Sequence, residues 1–473
     1  MSQLKKDTLA KNTVIYFIGT FGSKILSFLL LPLYSSYLTQ GQYGNYDLIN
    51  TIIQIATPAV TLMLDNAMYV YLLSAEKNGR AQEDLITYAV KTLMIDSVIA
   101  IGICMVVGYF HPIEYILLAA MWLISTSFYS VWSSICRGLN QARLYAFVGV
   151  VITVITLIGN IVGLLVLHLD YSVLMISNIA AQVVAVLIIE IKTHIFKYVR
   201  KGHTGKVLKK ELLRYTIPLL PNQVSWWVIN VSDRLVLNYT WGAEANGIYA
   251  MASKIPSILS IIHNIFSMSW SDVILSAEDI HDIEKDTEKI YNSYIQITVG
   301  VSIVLICSNQ LMFRYIIRGN FVEGYHYTYF LYVANVFNAM ASSLGAYYGY
   351  FKKSASVGVS TVVAAIINAG INVLFMNKYG IQVAAISTFC SFVAMWLIRL
   401  YGLRKLVTIK MYPYTIALLA LLIPFYFANY VEGIALNLVL VAFGCIVAVI
   451  INYKNICYIT SKGKLMLRSM KLN

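Results

Sequence analysis

The sequence predicts an all-α polytopic membrane protein of about 14 transmembrane helices, and three observations carry that prediction. Of 473 residues, 59% are hydrophobic and only 12% charged, against about 25% charged in soluble domains. Apolar runs of the roughly 20 residues needed to cross the hydrocarbon core recur along the whole chain. Basic residues gather in the short segments between those runs, on alternate sides, as the positive-inside bias requires. No polar stretch is long enough to form a soluble domain; the longest, from about Phe196 to Arg214, is of loop size.

Composition also excludes several functions. The net charge of +13 is spread over inter-span segments, which argues against a nucleic-acid partner. The six cysteines (Cys104, Cys136, Cys307, Cys390, Cys445, Cys457) form no C-x-x-C pair, and the seven histidines form no i, i+4 pair. Neither a disulfide framework nor a metal site is expected. No phosphate-binding G-x-x-x-x-G-K-[ST] loop occurs and no cofactor is expected, so uphill work would draw on a proton or sodium gradient or on downstream consumption.

Taken in order, the expected spans are 13–38, 47–73, 86–109, 114–136, 144–167 and 172–195, then 213–239, 245–275, 289–311, 325–351, 357–377 and 381–400, and finally 412–430 and 434–453. The first is too long for the apolar core of a cleavable signal. An even count puts both termini on one side. With that side cytoplasmic, all 35 Lys and Arg fall in cytoplasmic segments except Arg314, Arg318 and Lys378 outside and Lys24, Arg234 and Lys254 within spans. Weak internal likenesses support duplication. TQGQYGNYDLI follows span 1 as TWGAEANGIYAMA follows span 7, and GVVITVITLIGNIVGLLVLHLDYSV resembles GVSTVVAAIINAGINVLFMNKYGIQV. The expected divisions are residues 1–198 with six spans, a basic cytoplasmic linker at 199–212, residues 213–402 with six more, and 403–473 with two appended helices and a basic tail.

Ionisable groups inside spans are costly and normally face water or a partner. Helix 7 lines up Gln223, Trp227, Asn230, Arg234 and Asn238 on one face, and helix 2 lines up Asn50, Gln54, Thr57, Thr61 and Asp65 at the same offsets. Helix 1 carries Thr13, Thr20, Lys24, Ser27 and Tyr34 on one side. The serines of helix 8 read as a packing stripe, with Lys254 at its margin. At about 1.5 Å rise per residue, Arg234, Lys254 and Lys24 lie roughly 10, 15 and 20 Å below the outer helix ends, bracketing the midplane. Three such cations point to an anionic ligand of the phosphate or pyrophosphate type. Neutralisation by Asp65, Asp96 or Asp233 is the alternative; the same three acids are candidates for ion coupling, since a carboxylate in low dielectric can exchange protons near neutral pH. Prolines 32, 58, 218, 221 and 256 fall in or beside these spans, where kinks are expected.

The opening AKNTVIYFIGTFGSKILSFLLLPLYSSYLTQGQYGNYDLI and the later SDRLVL…GIYAMASKIP resemble the polysaccharide transporter group of the MOP (MATE-like) flippase superfamily, the O-antigen repeat-unit flippases, over roughly residues 9–400. That resemblance implies two six-helix lobes arranged as a V with a central cavity, plus two C-terminal helices. It implies flipping of an undecaprenyl-pyrophosphate-linked oligosaccharide across the bacterial plasma membrane by alternating access, for surface polysaccharide biosynthesis. It also implies a polyprenyl-linked glycan, membrane lipids, and polysaccharide polymerase and chain-length proteins as partners. Relatives that flip the peptidoglycan lipid precursor use cavity cations on helices 1 and 8, which here carry Lys24 and Lys254. Competing readings are a peptidoglycan-precursor flippase, which shares the fold and charge logic, and a MATE-type multidrug or cation antiporter, which would want an acidic or aromatic cavity. A membrane glycan polymerase or glycosyltransferase would show a large outer loop or an acidic catalytic motif, and this chain has neither, so a transporter rather than an enzyme is expected.

Overall fold

The computed structural model describes residues 30–75, 82–110, 114–201, 205–217, 220–275, 284–407 and 409–470, together with Phe28 and Ala277. Among these residues the regular structure is helical. Among the described residues nine helices are long and apolar enough to cross a membrane, or ten if one bent pair counts as a single span. The chain divides into two compact units, Met1–Trp227 and Val228–Asn473.

The first unit begins with α1 (Leu31–Tyr37), which has Pro32 in its first turn, where a missing N–H costs nothing. A capping box starts α2 (Gln40–Thr61): Thr39 Oγ1 accepts from the Gln42 N–H (3.2 Å), and Gln42 Oε1 accepts from the Thr39 N–H (3.0 Å). Pro58 lies inside α2, and the chain turns by 54° before α3 (Leu64–Ala75). Leu62 and Met63 at that turn are left-handed, with φ of 49° and 56°. The second expected span is thus bent at its middle.

Then follow α4 (Gln82–Phe110), α5 (Ile116–Gly138), α6 (Ala142–Ile161, ending in a π-turn over Val162–Val166) and α7 (Ser172–Thr193). Their core joins Leu64 and Met68 of α3, Leu85 and Val90 of α4, Trp132 and Ile135 of α5, and Ile189 of α7. Small residues let the helices close: a Cβ on Gly138 would sit 2.7 Å from Leu72 Cβ, and one on Gly163 would overlap Val173 Cγ2. Most of the basic linker is helical, as α8 (Ile195–Lys201) and α9 (Lys206–Thr216). Ile195 and Leu212 are buried in the first unit's core. Glu190 accepts from Trp132 Nε1 (3.1 Å) and from the Phe196 N–H (3.0 Å), fixing the start of α8.

Helix α10 (Leu220–Lys254) holds the expected seventh span and the start of the eighth, broken at Gly242 (φ 80°, ψ 179°), a backbone that favours glycine. Beyond a turn at Ile255–Pro256 comes α11 (Ser257–Leu275), so the eighth span is interrupted at its proline. The second unit continues with α12 (Glu284–Tyr315), α13 (Thr328–Tyr350), α14 (Ser354–Tyr379), α15 (Ile381–Leu403), α16 (Pro413–Leu421, then a 3-10 segment over Ile423–Tyr430) and α17 (Ile434–Met470). The expected basic tail is therefore helical as far as Met470.

Two buried asparagines on α12 tie in the last helices. Asn292 Nδ2 donates to the Lys410 carbonyl (3.0 Å), and its Oδ1 accepts from the Tyr412 N–H (3.0 Å) and Thr415 Oγ1 (2.7 Å). Asn309 Nδ2 lies within hydrogen-bond reach of the Tyr325 carbonyl, Thr328 Oγ1 and Asn429 Oδ1, and its Oδ1 accepts from the Tyr332 hydroxyl.

Candidate functional site

The strongest local arrangement lies in α10, where SDRLVLNYTWGAEANGIYAMASK folds back on itself at Gly242. Trp241 seats this turn: its Nε1 donates to the Met376 carbonyl (2.9 Å), and its ring lies 3.5 Å from where a Cβ on Gly380 would stand. The fold-back sets two adjacent charges on different partners. Asp233 is buried, at 2% exposure. Its Oδ2 accepts from the Tyr249 hydroxyl and its Oδ1 from the Arg234 backbone N–H (2.8 Å). Arg234 is half-buried, and its Nη2 donates to Ser253 Oγ (3.3 Å). Ser253 is the residue before Lys254, also half-buried. The guanidinium is thereby brought to the helical turn that ends in the second cation, ahead of the Pro256 break.

A polar layer supports this hairpin from behind. Ser232 Oγ donates to Asn368 Oδ1 (2.7 Å), which also accepts from Asn372 Nδ2 (3.1 Å), while Asn368 Nδ2 reaches Ser387 Oγ (3.3 Å). Bonds between side chains of neighbouring spans fix helix register where burial alone is indifferent to it.

The other expected site residues fare differently. Lys24 lies outside the described residues, and so does the side chain of Asn230. Gln223 is exposed; Trp227 is half-buried, and its Nε1 is a buried donor with no hydrogen-bond partner among the described residues. Both belong to the first unit, whose boundary falls inside α10. On α2, Asn50 is half-buried and Gln54 exposed, but Thr57 turns inward and donates to the Ile53 carbonyl (2.7 Å). Tyr34 is buried and accepts from Asn160 Nδ2 (2.7 Å), a packing role.

The three acids separate cleanly. Asp65 accepts from Ser130 Oγ (2.9 Å) and Thr61 Oγ1 (3.5 Å). Asp233 is held by Tyr249. Asp96, on α4, has a buried Oδ2 with no hydrogen-bond partner among the described residues, and the neighbouring Ser97 Oγ is in the same state. Burying a carboxylate oxygen without a donor is the costly case, and of these three acids Asp96 alone has such an oxygen among the described residues.

Sequence reasoning passed over Tyr249, Asn292 and Asn309, and it counted Arg399 with the cytoplasmic basic residues. Arg399 is buried, at 2% exposure. It donates to Ser360 Oγ (2.9 Å), the Ala341 carbonyl (2.9 Å) and Thr361 Oγ1 (3.0 Å), joining α13, α14 and α15. The adjacent Ser360 and Thr361 were the available signal.

Comparison with known proteins agrees with this architecture. The fold matches lipid II flippase MurJ in an inward closed conformation, at a TM-score of 0.69 and 15% identity over 94% of this chain and 100% of that one. It matches an inward-facing multidrug resistance MATE family transporter of the MOP superfamily at a TM-score of 0.66, with 15% identity over 81% and 96% of the two chains. A curated relative, Lsg locus putative protein 1 of Haemophilus influenzae, is 26% identical over 261 residues, which are 53% of this chain and 62% of that protein. The aligned part thus spans less than two thirds of that relative's length. The fold is the all-helical one of the MOP transporters, and the protein is a multi-pass membrane protein. A family model described as polysaccharide biosynthesis protein matches residues 9–274, more than half of the sequence, and the chain therefore belongs to that family.

Proposed function

We propose that this protein is a flippase of the bacterial plasma membrane that carries a polyprenyl-pyrophosphate-linked oligosaccharide repeat unit from the cytoplasmic to the outer leaflet. The observation that carries the reading is the family match over residues 9–274, joined to a fold that MurJ shares. Flipping demands that a pyrophosphate and sugars cross in water while the prenyl tail stays in hydrocarbon, because an unpaired dianion in lipid is prohibitively costly. Arg234 and Lys254, gathered on one hairpin, are assigned to the pyrophosphate, with Lys24 as the third cation. Gln223, Trp227, Asn230, Asn50 and Gln54 are assigned to the glycan. Asp96 is the preferred coupling acid, ahead of Asp65 and Asp233, whose hydrogen bonds already occupy them. Both termini are placed in the cytoplasm, and a polymerase and chain-length protein would receive the product.

The test is export of surface polysaccharide in a strain lacking the gene and complemented with variants of matched membrane abundance. Arg234→Ala and Lys254→Ala should each lower export about tenfold or more, the scale of losing one charge-assisted contact, with lipid-linked repeat units accumulating inside. Arg234→Lys should recover part of it. Wild-type export from Lys24→Ala, Arg234→Ala and Lys254→Ala alike would overturn the site. Export without accumulation of a prenyl-linked glycan in the null strain would overturn the substrate. The MurJ likeness favours one second reading, a peptidoglycan lipid precursor as cargo; rescue of cells depleted of their lipid II flippase would establish it.

A further inference from the structure

A furrow of about 710 Å³ opens between the last turns of α15 and the start of α16. Trp396, Leu400, Ile416 and Leu419 give it an apolar wall, and Arg404 and Lys410 line it as well. Both cations are exposed, and neither side chain has an ion-pair partner among the described residues. The Arg404 guanidinium lies 5.8 Å from the Tyr401 ring centre, too loose a contact to satisfy it. The backbone that bears Lys410 is held in place. Asn292, fully buried, holds Lys410, Tyr412 and Thr415 by three hydrogen bonds. Glu288, the nearby acid, accepts from the Lys410 backbone N–H (3.4 Å).

An apolar furrow lined by two cations is matched by an amphiphile and by little else. A soluble phosphate would leave the apolar wall wet. A zwitterionic lipid would leave Arg404 and Lys410 short of counter-charge. The end of α15 shares its membrane side with the turn between α13 and α14, where Lys352 and Lys353 are exposed, and the positive-inside bias makes that side cytoplasmic. Basic pockets between transmembrane helices on that side suit anionic head groups, with Arg gripping phosphate oxygens as a fork and Lys as a point charge.

We propose that this furrow holds an anionic glycerophospholipid of the cytoplasmic leaflet, its phosphate against Arg404 and Lys410 and an acyl chain along α15 and α16. The site is separate from the cation hairpin of α10 and stands whatever the transported cargo is.

Trp396 supplies the readout. The full-length protein is reconstituted into phosphatidylcholine vesicles carrying a minor share of phosphatidylglycerol, with dibrominated chains on one lipid or the other, and tryptophan quenching is measured. Brominated phosphatidylglycerol should quench more per molecule than brominated phosphatidylcholine, and Trp396→Phe should remove that excess. Arg404→Gln and Lys410→Gln change exposed side chains, and each should weaken the preference about fivefold, the effect of one basic residue at an anionic membrane surface. Equal quenching by both lipids, or a preference untouched by the double variant, overturns the proposal. Displacement of the quencher by polyprenyl pyrophosphate more readily than by unlabelled phosphatidylglycerol also overturns it, since the furrow would then belong to the cargo lipid.

Discussion

Asp233 and Tyr249 show how a single hydroxyl changes what an intramembrane carboxylate can do. With the phenol donating to Oδ2, the acid is committed to joining the two arms of the α10 hairpin. Tyr249→Phe should cost about 1–3 kcal/mol, the penalty for stranding a buried acceptor, seen as a lower melting temperature of the purified protein. Arg399→Lys should cost at least as much, because an ammonium cannot reach the three acceptors on α13 and α14 that the guanidinium fork spans. In the turn between α6 and α7, burial pushes the Asp170 carboxyl up. Hydrogen bonds from Ser172 and Tyr115 (hydroxyl to Oδ2, 2.5 Å) outweigh it, and the net result is a carboxyl below its ordinary value. A depressed carboxyl contributes stability above its unfolded value that is lost as pH falls through the folded one. The protection factor of the Ser172 amide, which donates to Oδ1, should therefore fall as the medium is acidified below the usual carboxylate range, exchange being referred to the intrinsic rate at each pH. Asp170→Asn should flatten that dependence.

Helices report on what a sequence makes visible. The spans themselves were legible because apolar length and alternating basic flanks are properties of local composition. The turns T-Q-G and T-W-G, expected to correspond in a repeat, are built differently: Thr39 closes a capping box, whereas Gly242 supplies a left-handed residue. Similar letters concealed different backbone solutions, because the choice depends on what Trp241 can reach across the fold. The pairing of Asp233 with Tyr249 was hidden for the same reason, since helical periodicity ends at the break between them. Close approaches offer a test at this scale. Gly163→Ala should destabilise the protein by about 1–3 kcal/mol through overpacking on the stiff Val173 side chain, and adding Val173→Ala should recover most of the loss. Additive losses in the pair would mean that the α6–α7 contact is not the cause.

For the whole molecule, sidedness is the prediction on which the cytoplasmic assignments rest. In a cysteine-free background, a cysteine at Lys353 should stay unlabelled by an impermeant maleimide in intact cells, and one at Tyr379 should be labelled; the reverse pattern would invert the orientation. Charge bias is what the expected topology rests on, while the charged residue types inside spans were the signal that drew attention to Arg234 and Lys254. The 54° turn at Leu62–Met63 is held against a local backbone preference. Two non-glycine residues in the left-handed region cost about 1–2 kcal/mol apiece, so the packing around the turn has to supply that much. Glycine at either position should relieve the strain, and the purified protein should then melt at a higher temperature than the alanine variant of the same position; equal melting of the two would mean that the turn carries no backbone strain.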